Sequence, residues 1–192
     1  MKNLFVFLTF LTFFSCHQKI SKNDNAIDSL GLELKNDMSA MGSFWILMIN
    51  SDDNKISNLK RLVEELKLVD GSSEEDLNGI KAKIESLEAS RYSRNSMQNS
   101  SSIDFYDSLT NSAISEVRRA INVNPNAVKF QIINQLIAEI QAADDSVLHF
   151  RKQYDRSVDS YNSFFKINLD KLKSKRPELD SLKMYPVFRL IP

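Results

Sequence analysis

An all-α fold, an elongated antiparallel bundle of about four helices with one very long helix in its C-terminal half, is predicted by three observations. The 192 residues include only four glycines and four prolines, too few turn-formers for a strand-and-turn architecture. Apolar residues recur three and four apart over long stretches, the spacing that lines one face of a helix. The polar segments between those stretches carry helix caps and turn signals. Lys plus Arg and Asp plus Glu both number 25, so no net charge draws the chain to nucleic acid or acidic lipid.

The first element is a leader. Met1-Lys2-Asn3 is a short basic start, Leu4–Phe14 is apolar apart from Thr9 and Thr12, and Ser15 precedes Cys16, the only cysteine. The run is too short to span a bilayer and has the layout of a secretory signal. With a cysteine at the cleavage point it resembles the lipobox of bacterial lipoproteins, Phe13 standing where Leu is usual. That resemblance implies a signal peptide over 1–15 and a mature chain beginning at a lipidated Cys16, bound to membrane through its acyl chains. Two other readings stand beside it: a buried core segment, against which the lack of helical polar spacing argues, and plain secretion with a free thiol, which an oxidising compartment disfavours. His17 after the cysteine, rather than Asp, favours the periplasmic face of the outer membrane, with the inner membrane open. Residues 16–25 form a polar tether, and 26–192 are expected to be one domain.

Within that domain a first helix is expected from Ala26 to Asn50. Ile27, Leu30, Leu34, Met38, Met41, Trp45 and Met48 make one stripe. Such Met and Trp stripes are core filler far more often than cofactor sites, and Phe44–Ile49, apolar all round, is expected to be the most buried part. Ser51-Asp52-Asp53-Asn54 is expected to end this helix and cap the next, which carries Ile56, Leu59, Val63 and Leu66. Asp70-Gly71 signals a turn. Ser73 with Asp76 resembles a capping box and opens a helix with Leu77, Ile80, Ile84 and Leu87. Residues 53–90 are thus one interrupted helix or a hairpin. Arg94–Ser102 reads as a mobile, serine-rich loop.

A further helix is predicted over Asp104–Val123, with Leu109, Ala113, Val117 and Ile121 on one face. Asn124-Pro125 is a helix start, Asn as cap and Pro in the first turn. The helix it opens carries Leu136, Ile140, Ala143, Val147, Phe150, Tyr154, Val158 and Tyr161, and runs on through Phe165 and Leu169 to Leu172 before Pro177. At 1.5 Å per residue it approaches ~70 Å, longer than the others. Val147, Phe150, Tyr154, Val158 and Tyr161 are expected to face the core. Arg151 and Asn162 are placed at the stripe's edge, bonded to a neighbouring helix or to the tail. The tail Met184–Ile191 is too apolar to float free and is expected to fold back along the bundle.

Residues 124–165 resemble the C-terminal half of LemA family proteins. That family's long helix has the form T-E-N-x-I-x-x-x-R-x-x-Y-N-x-x-V-x-x-Y-N. Ala143-Asp144-Asp145 stand at its start, and Val147, Arg151, Tyr154, Val158, Tyr161 and Asn162 match it position by position. Asp155 stands where the family has Asn, the Phe-Pro after the last Tyr-Asn is missing, and Asn58-Leu59 lacks the preceding proline of the family's Pro-Asn-Leu-Val segment. The resemblance implies an antiparallel helical bundle and an N-terminal membrane anchor, here replaced by lipid, but no reaction. Arg151, Tyr154, Tyr161 and Asn162 are the candidate packing or partner-contacting residues, and fixing helix packing is the heavier reading for them.

Chemistry is sparse. His17 lies in the tether and His149 stands alone, so no metal-ligand set assembles and a nucleophile would have one histidine to draw on. Ser57-Asn58-Leu59-Lys60 fits S-x-x-K without the companion motifs. Asp52-Asp53-Asn54 lacks the glycine and glutamate of a calcium loop, and scattered glycines build no phosphate loop. The expectation is therefore a non-enzyme without cofactor, metal, nucleic acid or small-molecule substrate: an envelope interaction or scaffold module with a protein partner. The alternative is a helical holdase-like chaperone for exported proteins, against which the balanced charge argues.

Overall fold

The computed structural model of the chain describes residues 22–98, 100–174 and 176–188. These residues form four α-helices, α1 (Lys22–Lys67), α2 (Glu74–Ala89), α3 (Ser100–Val123) and α4 (Gln131–Lys173), with short 3-10 turns between and after them and no strand among the described residues. Neighbouring helices run antiparallel. Lys55 of α1 meets Asp144 of α4 while Asp37 meets Ser160, and Asp76 of α2 meets Arg119 of α3 while Lys83 meets Glu116.

The helices are unequal, and that sets the architecture. At 1.5 Å per residue α1 and α4 are ~69 and ~65 Å long, against ~24 and ~36 Å for α2 and α3. The shorter pair covers only the half of the α1–α4 pair around Leu59, Leu62, Leu66, Ile133, Leu136 and Ile140, all buried. Here the molecule is a four-helix bundle. Beyond the level of Asp52 and Arg151, α1 and α4 continue as a pair, and the tail 177–188 takes the place of the missing helices. Leu179, Leu182, Tyr185 and Val187 are half-buried and Phe188 is buried in the same continuous core.

Several expectations are corrected. No break occurs at Ser51–Asn54: α1 runs through it for 46 residues and is the longest helix. Asp52 and Lys55 lie one turn apart on the inward face, ion-paired at 3.0 Å and each less than a tenth exposed. Their polar groups are met by other helices, so they do not cap an end. The true end lies at Lys67, where Gly71 adopts φ 85° in the turn to α2, a conformation that suits glycine. The 53–90 region is therefore a hairpin between the end of α1 and α2. The helix start at Lys22 also makes the last residues of the expected tether helical, while the expected leader and Cys16 lie outside the described residues.

The Phe44–Ile49 run is not buried all round. Phe44, Trp45 and Ile49 pack against the core and Met48 is buried, but Ile46 and Leu47 are 59% and 42% exposed, on the face of α1 turned away from it. The stretch expected as a loop is partly helical: Ser96–Gln98 is a 3-10 turn that buries Met97, and α3 already begins at Ser100. Asn124-Pro125 opens a 3-10 turn, and α4 starts later, at Gln131. Asn124 Oδ1 accepts from the Asn126 amide at 3.0 Å while its Nδ2 donates to the Asp70 carbonyl and Ser72 Oγ. Its capping chemistry thus ties the α3–α4 connection to the α1–α2 turn. Ser73 caps α2 by accepting from the Asp76 amide.

Candidate functional site

Where α2 and α3 stop short, the chain from Arg91 to Arg94 crosses the α1–α4 pair, and a layer of polar and aromatic side chains marks the crossing. Asp52 of α1 accepts from the Tyr106 hydroxyl of α3 and faces Arg91 at 3.2 Å. Lys55 reaches Asp144 of α4 at 3.1 Å. Arg151 of α4 is only 2% exposed and makes a two-pronged pair with Asp107 of α3, both bonds at 2.7 Å. Its second terminal nitrogen also donates to the Tyr92 hydroxyl at 2.7 Å. Burial works against the Arg151 charge, but the hydrogen bond and charge of Asp107 with the Tyr92 contact outweigh it, and its pKa is raised. Burial pushes the Tyr92 phenol up to about 12, opposed by Arg151. Such a layer fixes the register of α1, α3 and α4 and of the connection that follows α2, because a shift by one turn would strand a buried charge.

The tail enters just past this layer. Asn162 Nδ2 donates to the Tyr185 carbonyl at 2.9 Å and its Oδ1 accepts from the Tyr185 amide at 3.0 Å. The Tyr161 hydroxyl donates to the Lys183 carbonyl at 3.2 Å, and Asp155 accepts from the Phe188 amide at 2.8 Å. Burial raises the Asp155 pKa, against the pull of that amide. The Phe188 ring then sits among Trp45, stacked at 6.2 Å, and Tyr92 and Tyr154, edge-on at 5.7 and 5.6 Å. The Arg151 guanidinium lies 5.0 Å from its centroid, and Arg94 lies 5.1 Å from the Trp45 ring, both in cation–π range. Gly31 gives Arg176 room to cross α1 and reach Asp28 at 2.8 Å, since a β-carbon there would lie 3.2 Å from the guanidinium.

All four candidate residues of the long helix therefore belong to one site. Arg151 and Asn162 bond to α3 and to the tail, and Tyr154 and Tyr161 are fully buried. The Tyr154 hydroxyl has no hydrogen-bond partner among the described residues, and burial pushes both phenols up to about 12. The expected core position of Phe150 is corrected: it is half-buried beside His149, and Arg151 takes the inward place. The spacing of α4 turns 147, 151, 154, 158 and 161 inward, so a charged residue occupies the core position and the phenylalanine its flank. Asp155, the departure from the LemA pattern, supplies an acceptor that Asn would also offer. Tyr92, Asp107 and Phe188 escape a motif reading. Their signal is a lone aromatic in a polar connection, an acidic residue on an amphipathic helix and an aromatic tail.

Two cavities border this layer. One, of about 440 Å³, runs along the outer flank of Tyr185–Phe188 against Met97, Ile103 and Asp159. The other, of about 170 Å³, is walled by Lys55, Asp107, Asn111, Asp144 and Arg151. Each cation of the second already faces a carboxylate, so that pocket has no net charge with which to hold an ion. Among the described residues no three His, Cys, Asp or Glu side chains converge as metal ligands, and no helix is long and apolar enough to cross a membrane. Comparison with protein-family models, with curated proteins and with solved structures found no match to this chain.

Proposed function

We propose that this chain is a lipid-anchored cell-envelope protein of LemA-like type, a non-catalytic interaction or scaffold module carried on the periplasmic face of the outer membrane by acylated Cys16. One observation supports the reading most. The site's polar groups are spent on holding helices and on gripping the backbone of an extended segment, which is the chemistry of protein recognition. The LemA resemblance over 124–165 adds the bundle and the membrane address.

Crosslinking in intact cells followed by purification tests the reading. A few stoichiometric envelope proteins are expected; a broad set of unfolded exported chains would replace the module with a holdase. Cys16→Ser tests the anchor. Each buried methylene contributes ~0.8 kcal/mol, so several acyl chains hold durably, and the variant is expected to stay unprocessed or leave the membrane fraction. Maturation and fractionation like the wild type would remove the lipoprotein part of the proposal.

A further inference from the structure

The triplet Asp-Ser-Leu occurs three times, at 28–30, 107–109 and 180–182, so leucine follows three of the chain's five Asp-Ser pairs. We propose that Ser29, Ser108 and Ser181 are attachment sites for O-linked sugars, the triplet being what the attaching enzyme reads. The inference rests on the reading of the chain as an exported envelope protein, because the sugar donor belongs to that compartment.

Three observations carry it. The first is a shared setting. The serines lie in three separate elements, α1, α3 and the 3-10 turn Pro177–Ser181, yet their surroundings repeat. Each serine is exposed and each leucine is half-buried against the core. Each aspartate is held by a cation: Asp28 by Arg176 at 2.8 Å, Asp107 by Arg151 at 2.7 Å and Asp180 by Lys173 at 3.3 Å. The hydroxyl is therefore presented to solvent between two neighbours that the fold holds in place.

The second observation is the state of the hydroxyls. Helical serines often bond to the carbonyl four residues back, as Ser43, Ser86 and Ser157 do. The two Asp-Ser pairs without leucine also have their serines engaged, Ser146 donating to the Ala142 carbonyl at 2.7 Å and Ser160 to Asp37 at 3.3 Å. Ser29, Ser108 and Ser181 bond to no group among the described residues. The third observation is charge. A phosphate on any of the three would stand beside an aspartate and compete for its cation, whereas a neutral sugar adds bulk only on the solvent side. In the transfer, the serine Oγ attacks the anomeric carbon of a sugar carried on a lipid diphosphate. The new carbon–oxygen bond forms as the bond to the diphosphate breaks, the diphosphate leaves with that electron pair, and the hydroxyl proton passes to a base of the transferring enzyme. Because Asp28 meets Arg176, the sugars of Ser29 and Ser181 stand at the same end of the bundle, where α1 begins and the tail turns back.

Mass spectrometry of the full protein purified from its own cells, intact and as peptides, tests this. Sugar-sized additions are expected on Ser29, Ser108 and Ser181, localised by fragmentation, with Ser146, Ser160 and the exposed Ser57 and Ser163 bare. Ser29→Ala, Ser108→Ala and Ser181→Ala should each remove one addition from the intact mass. Asp28→Asn keeps Ser29 and removes only a surface ion pair, which contributes little to the fold. It should strip the sugar from Ser29 and leave the other two; a sugar retained there overturns the triplet as the signal. Bare peptides at all three serines overturn the proposal, as do phosphate-sized additions or sugars on serines outside the triplets. The N-terminal peptide in the same spectra keeps the two readings apart. Acylated Cys16 with bare serines overturns the sugar sites and leaves the lipoprotein reading, whereas sugars without an acyl group support the sites and remove the lipid anchor.

Discussion

Asn162 and Tyr185 form a closed hydrogen-bonded ring, the carboxamide donating to the tyrosine's carbonyl at 2.9 Å and accepting from its amide at 3.0 Å. One side chain thus satisfies both backbone groups of a part-buried residue, which takes the paired donor and acceptor of a carboxamide. Asn162→Ala is expected to cost about 1–3 kcal/mol, the range for stranding a buried polar group. Asn162→Asp, which keeps the acceptor and loses the donor, should fall between. Urea unfolding combined with limited proteolysis of the tail checks both, and an unchanged midpoint with an uncut tail would count against the clamp.

The Arg151–Asp107 pair should respond unequally to its two deletions. Asp107→Ala leaves a guanidinium that is 2% exposed without its carboxylate, at a cost of about 3–5 kcal/mol. Arg151→Met fills the space with apolar atoms and leaves an aspartate that is 39% exposed and can turn to water, so it should cost less. Arg151→Lys retains the charge but not the fork, and should be worse than Met. Denaturant titrations giving Met as the most damaging change would contradict the buried pairing.

The tyrosines of α4 separate hydrogen bonding from packing. Tyr161→Phe loses a bond to the Lys183 carbonyl and should cost about 1 kcal/mol. Tyr154→Phe removes a hydroxyl buried without a partner among the described residues and should be neutral or stabilising. Phe150→Ala, from a half-buried site, should cost less than the roughly 3–5 kcal/mol of a fully buried phenylalanine. Thermal melts of the three variants side by side check the order.

Alkaline pH should open the fold. Burial raises Tyr92, Tyr154 and Tyr161 from 10.0 to about 12. The unfolded chain therefore releases these protons near pH 10 and the folded chain near 12. Their stabilising contribution is complete below pH 10 and is lost as pH rises from 10 to 12, at up to about 1.4 kcal/mol per pH unit for each. Urea midpoints measured at pH 9, 10, 11 and 12 should fall steeply over the last three. A flat profile would mean that these hydroxyls are exposed.

Much of the bundle is legible in apolar spacing alone, because burial of one helical face is a local pattern with a global cause. Leu77, Ile80, Ile84 and Leu87 all lie in the core, as do Val147, Tyr154, Val158 and Tyr161. What spacing misreads is polar chemistry. Asp52 looks like part of a cap until Tyr106, 54 residues away, donates to it. Arg151 looks like an edge residue until Asp107 and Tyr92 neutralise and enclose it, 44 and 59 residues away. The apolar tail announces that it must pack, but its seat is made by the unequal lengths of α1–α4, which no local motif encodes.

The seat of Phe188 is the most direct test of the whole arrangement, and nuclear Overhauser contacts to the single indole measure it. Contacts from the Trp45 indole to the Phe188 ring are expected, with Phe188 ring protons shifted upfield by the three aromatic neighbours that enclose it. Phe188 resonances at random-coil positions, with no contact to Trp45, would contradict a tail that packs on the α1–α4 pair.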